Sequence, residues 1–115
     1  MRLDPERLLD ILEAIEAIER HQPKDRANFD ADELVRVWCL RHIEIIGEAA
    51  ANISDETRAL APGIPWKQVV GMRNTLVHAY FGVDWNEVWK VVERDLDPLK
   101  ASVQELLKQV EREDR

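Results

Sequence analysis

The stretch DADELVRVWCLRHIEIIGEAAANI, running from Asp30 to Ile53, decides the fold. Val35, Cys39, His42, Ile46, Ala49 and Ile53 recur at steps of four and three, which is the repeat of one helical face. Leu34, Trp38, Arg41, Ile45 and Glu48 form a second stripe beside the first. An apolar sector this broad needs two sets of packing partners. One is the rest of a helical bundle; the other is a second subunit.

The flanking sequence repeats the helical pattern. Leu8, Ile11, Leu12, Ile15 and Ile18 mark one face of a first helix, with Asp4 expected as N-cap and Pro5 at the first helical position. His21 to Arg26 reads as a loop. Ser54 can cap a short turn over Asp55–Leu60, and Ala61-Pro62-Gly63-Ile64-Pro65 breaks the chain. A third helix is predicted from about Trp66 to Ala79, ending at or just before Gly82. Asp84 with Glu87 opens the last helix as a variant capping box. Val88, Val92, Leu96, Leu99, Val103, Leu106 and Val110 keep helical spacing to its end, with a bend expected at Pro98 and fraying over Glu111–Arg115. No segment shows sustained period-2 alternation. The expected fold is all-α: an antiparallel four-helix bundle, with a short extra helix between the second and third main helices. Residues 1–115 are read as one domain, since 115 residues suffice for one core and not for two.

Composition narrows the function. Charged residues make up 34% and hydrophobic residues 45%, the balance of a globular rather than a disordered chain. There is no apolar run of membrane-spanning length and no signal-peptide core after Met1. Cys39 is alone, so no internal disulfide can form, and a reducing cytoplasm is expected. The net charge of −7 argues against an extended nucleic-acid surface. It does not argue against a local phosphate contact. No Asp or Glu lies between Thr57 and Val83, whereas Arg58, Lys67 and Arg73 do.

Within that cationic segment runs Gly71-Met72-Arg73-Asn74-Thr75-Leu76-Val77-His78-Ala79-Tyr80. It unites a fixed cation, a group that titrates near neutrality and the only tyrosine. Guanidinium grips phosphate oxygens, and imidazole moves protons near pH 7. This set suits chemistry on a phosphodiester. On a continuous helix Arg73 and His78 would point about 140° apart. Two remedies exist: the helix unwinds near His78, or a second subunit completes the site across a two-fold axis. The second is favoured, because it also supplies two histidines for two proton transfers.

Arg73, His78 and Tyr80 carry the Arg-x4-His-x-Tyr spacing of HepT-like proteins, the toxin branch of the HEPN superfamily. Pro65-Trp66, Gly71 to Asn74, Val77 to Tyr80, and Val83-Asp84 with Trp89 resemble that pattern closely, and Arg41 to Ala50 is similar to the second helix of these proteins. The resemblance implies a dimeric, metal-independent endoribonuclease toxin of a type II/VII-like toxin–antitoxin pair. Its partner would be a nucleotidyltransferase antitoxin that transfers AMP to the tyrosine. Carried over, Arg73 and His78 would be catalytic, Asn74 would assist and Tyr80 would be the AMP acceptor. RNA would be the substrate, the protein a homodimer or higher even oligomer, and no cofactor would be involved.

Other residues keep two readings. His42 sits in an apolar stripe and is read first as a satisfied core histidine. Arg41, Glu44 and Glu48 can form an intrahelical ion-pair set; alternatively Glu48 orients Arg73 or His78. Trp38, Trp66, Trp85 and Trp89 are core or dimer anchors, with base stacking by Trp85 or Trp89 as the alternative. Tyr80 either packs beside Phe81 or is modified. Cys39, among apolar residues, is expected to be inert. His21, His42 and His78 lack metal-ligand spacing. Two rivals to the nuclease remain: a non-catalytic helical module that binds a nucleotide or a nucleotidyltransferase, and a purely structural helical dimer.

Overall fold

Helix α1 (Asp4–Arg20) buries Leu8, Ile11, Leu12, Ile15 and Ile18, the stripe expected of it. This computed structural model describes residues 3–74, 77–78 and 82–113, with 77, 78 and 113 as backbone only. Leu3, not Asp4, is the N-cap of α1. The Asp4 carboxylate instead crosses the fold, accepting hydrogen bonds from Ser54 Oγ at 2.5 Å, Thr57 Oγ1 at 2.6 Å and the Ser54 amide at 3.2 Å.

The helix expected from about Asp30 to Ile53 runs from Glu33 to Ala51, and a separate short helix precedes it. Asp25 caps α2 (Arg26–Ala31) through the Asn28 amide at 2.9 Å. Asp32, in extended backbone, then caps α3 (Glu33–Ala51) through the Val35 amide at 3.1 Å. Two helix-start signals seven residues apart, each with its own amide to satisfy, outcompete a continuous helix. The break seats Phe29, fully buried, against the rings of Trp85 and Trp89.

Asp4 meets Ser54 just past the end of α3, and Trp38 Nε1, near its start, donates to the Ala17 carbonyl late in α1 at 2.8 Å. Helices α1 and α3 therefore run antiparallel. Ser54 caps the short helix α4 (Asp55–Ala59) through the Thr57 amide, as expected.

Helix α5 (Trp66–Gly71) is shorter than predicted. The Met72, Arg73 and Asn74 amides reach back only three residues, to Val69, Val70 and Gly71, so the chain tightens into turns and leaves the helix. Val77–His78 (β1) then pairs antiparallel with Gly82–Val83 (β2), with Val77 opposite Val83 and His78 opposite Gly82. β-Branched Val77 suits the extended backbone, and Gly82 takes φ +77°, a conformation that favours glycine. Strands of two residues are too short to show alternation, so this ladder left no mark in the hydropathy pattern.

Asp84 caps α6 (Trp85–Lys90) through the Glu87 amide at 3.2 Å. The rod continues as a π-helical stretch (Val91–Asp95) into α7 (Leu96–Glu113), so Glu111 to Glu113 are helical where fraying was expected. The Leu96 amide bonds Val91 O, five residues back. Pro98 has no amide to offer the Arg94 carbonyl, and its ring crowds that turn; the wider coil just before it relieves the crowding. Leu96, Leu99, Val103, Leu106 and Val110 face the core, and Lys100 Nζ meets Glu19 of α1 at 2.8 Å. The class is all-α, as expected, apart from the small ladder. No described helix is long and apolar enough to cross a membrane.

Candidate active site

Gly47, in the middle of α3, explains where Arg73 sits. A Cβ at Gly47 would overlap the Arg73 backbone nitrogen and stand 3.0 Å from Arg73 Cα and Cβ. The missing side chain lets the turn after α5 lie directly on α3. One residue further along α3, Glu48 Oε2 lies 3.8 Å from Arg73 Nη1. Both side chains are well exposed, 40% for Arg73 and 66% for Glu48. A pair so long and so wet holds the guanidinium loosely.

Around this pair lies a cleft of about 610 Å³. Arg7 and Asp10 of α1, Arg41 and Glu44 of α3, and Asn74 beside Arg73 line it together with Glu48. Arg73, Asn74 and Glu48, three of the residues singled out in the sequence, are thus brought together. The intrahelical ion-pair set of Arg41, Glu44 and Glu48 does not form: Glu48 pairs with Arg73, and Arg41 makes no ion pair with a described residue. A larger cavity, about 680 Å³, lies between α5, the π-helical stretch and α7; none of Arg73, Asn74 or Glu48 lines it.

The backbone of His78 lies in β1, beyond the end of α5. The 140° separation of a continuous helix therefore does not apply to Arg73 and His78. The His78 side chain and Tyr80 lie outside the described residues.

The other candidates resolve into packing. His42 Nδ1 hydrogen-bonds the Trp38 carbonyl at 2.8 Å, and its ring stands 4.2 Å from the Trp38 ring. It is a satisfied, half-buried histidine. Trp89 is buried, Trp66 Nε1 donates to the Ala61 carbonyl, and the Arg36 guanidinium lies 5.3 Å from the Trp85 ring centre. Cys39 is fully buried, and burial pushes its thiol up to about 11, far from a reactive thiolate. Among the described residues no three His, Cys, Asp or Glu side chains cluster as metal ligands.

Arg7, Asp10 and Gly47 were missed in the sequence. Arg7 and Asp10 carry no motif of their own, and only the docking of α1 against α3 brings them to the cleft. Gly47 did carry a signal: glycine inside a helix costs about 1 kcal/mol relative to alanine, and a close backbone approach is a common reason to keep it.

Known proteins resemble this chain over most of its length. The family model described as "Ribonuclease HepT-like" matches residues 11–106. The chain is 42% identical over 102 residues to a probable ribonuclease HepT of Thermococcus cleftensis, covering 88% of this chain and 93% of that one. It is 41% identical over 98 residues to a candidate RNase, MJ1380, of Methanocaldococcus jannaschii, covering 84% and 90%. It is 36% identical over 90 residues to a candidate RNase, TTE0752, of Caldanaerobacter subterraneus subsp. tengcongensis, covering 78% and 80%. No solved structure gives a significant match. With a family match over most of its length and relatives more than 40% identical over most of both chains, this chain belongs to the HepT-like ribonuclease family.

Proposed function

We propose that this protein is a metal-independent endoribonuclease, built as one domain over residues 1–115, that acts as the toxin of a toxin–antitoxin pair. The observation that carries the reading is Arg73, seated on Gly47 and loosely held by Glu48 at the edge of an arginine-lined cleft. RNA brings its own nucleophile, the 2′-OH. Its attack on the adjacent phosphorus needs a base for the hydroxyl proton, an acid for the departing 5′-oxygen, and positive charge where the phosphorane-like transition state gathers it. Arg73 supplies the charge through paired N–H donors. His78 moves the protons, a role worth about 10²–10⁴ in rate. Glu48 orients Arg73, and Asn74 assists at the same rim.

In this reading the protein is a homodimer, and two His78 side chains across the two-fold axis divide the two proton transfers. A nucleotidyltransferase antitoxin would place AMP on Tyr80. That adds a bulky phosphodiester anion two residues from His78, where it competes for Arg73 and fills the groove. Wild-type protein should cut RNA in EDTA and leave a 2′,3′-cyclic phosphate. Cleavage that stops with chelator and returns with Mg²⁺ would contradict the proposal. Co-expression with a neighbouring nucleotidyltransferase should silence wild type and spare Tyr80→Phe; equal silencing of both would move regulation away from Tyr80.

A further inference from the structure

Two guanidinium groups in the cleft have no task in this scheme. Arg7, on α1, and Arg41, on α3, both line the space that holds Arg73. Neither makes an ion pair with a described residue, although this is a chain of net charge −7 with carboxylates to spare. Arg7 is near enough to Asp4 for that carboxylate to feel its charge. Asp4, however, is already held by Ser54 and Thr57. The carboxylates that line the cleft are Asp10, Glu44 and Glu48. Asp10 has an interaction of its own, and Glu48 faces Arg73.

Arg41 precedes Glu48 by seven residues, two helical turns, so both lie on one face of α3 about 10 Å apart along its axis. Arg7 faces them from the antiparallel helix α1. Three arginines from three parts of the chain thus converge on one trough, with the Arg73 end carrying the family motif.

Resting on the ribonuclease reading, we infer that Arg7 and Arg41 bind the phosphates that flank the scissile one, so that the cleft is a track for single-stranded RNA. Both act on binding and register and take no part in proton transfer. The track accounts for sequence-independent grip by an acidic protein: the attraction is confined to one trough and is not spread over a basic face. Glu44, at the same trough, weakens the grip and keeps the strand exchangeable.

The test uses the full-length protein and a short, dye-labelled 2′-O-methyl RNA, which lacks the attacking hydroxyl and cannot be cut. Arg7→Gln and Arg41→Gln should each weaken binding about threefold to tenfold at low salt. Each should also lower the slope of log affinity against log salt by about 0.7, the value for one phosphate contact to a single strand. Glu44→Gln should tighten binding, and Lys108→Gln, on exposed α7 surface, should change neither quantity. On unmodified RNA the two arginine variants should raise KM with kcat near wild type. A dinucleoside monophosphate, whose one phosphate is the scissile one, should be cut equally by wild type and both variants.

Unchanged affinity and salt slope in both arginine variants would overturn the track. Wild type that binds the probe, and loses slope in the variants, yet cuts no RNA would support the track and overturn the ribonuclease reading. Wild type that neither binds nor cuts would overturn both.

Discussion

Gly47 and Arg73 form the most constrained contact of the candidate site. Adding one methyl group at Gly47 drives it into backbone, which cannot swing aside as a flexible side chain would. Gly47→Ala should therefore cost about 1–3 kcal/mol of stability, the usual range for overpacking. It should also move Arg73 off Glu48 and lower RNA cleavage more than tenfold. A thermal melt and a cleavage assay on the same preparation would check this; a variant with wild-type melting and activity would show that the close approach is not needed. At this scale the sequence was partly legible. Arg73, Asn74 and Glu48 could be singled out from the motif and from helix stripes, because their chemistry is local and their spacing fixed. Arg7 and Asp10 could not, because nothing within α1 says which part of α3 lies beside it. The ion pairs expected between Arg41, Glu44 and Glu48 failed for the same reason: a tertiary partner, Arg73, took Glu48.

Helix starts were legible where a capping side chain had no competing partner, as at Ser54 and Asp84. Asp4 shows the opposite case. A residue with every local mark of an N-cap instead ties the start of α1 to the segment between α3 and α4. Burial alone would raise its carboxyl, but hydrogen bonds from the Ser54 and Thr57 hydroxyls and the Ser54 amide, with the charge of Arg7, outweigh burial and hold it below its ordinary value. The sign follows from proton binding. A carboxylate with a lowered folded pKa binds fewer protons folded than unfolded through that range. Its stabilisation is present above the ordinary carboxylate pKa and is lost as pH falls through the folded value. Asp4→Asn should lower stability at neutral pH by about 1–3 kcal/mol, as expected for hydrogen bonds to a charged group. It should also flatten the acid side of the stability profile; urea melts at neutral and acid pH would show an unchanged profile if the clamp contributes nothing. The early end of α5 was not legible. Its residues up to Asn74 pattern well as helix, and a ladder of two residues per strand leaves no periodicity to detect.

For the whole molecule, the all-α class and the core stripes of α1 and α7 were readable from periodicity, and that of α3 in part: Cys39, Ile46, Ala49 and Ile53 are buried as expected, whereas fully buried Ile43 lay outside the expected stripe. The wide apolar sector of α3 is only partly covered within the chain: Leu34 is 82% exposed and Val37 51%. Exposed large aliphatics on one helix support the proposed dimer. Light scattering at micromolar concentration should give twice the chain mass; a monomer would remove the composite site. The central claim is that Arg73 and His78 cut RNA without a metal. The measurement that tests it most directly is cleavage of a defined RNA in EDTA by purified wild type, Arg73→Ala and His78→Ala, each first shown to melt like wild type. The account predicts cleavage by wild type and a loss of about 10²-fold or more in each variant, the scale of one removed transition-state role. Folded His78→Ala protein that cuts as fast as wild type would contradict it.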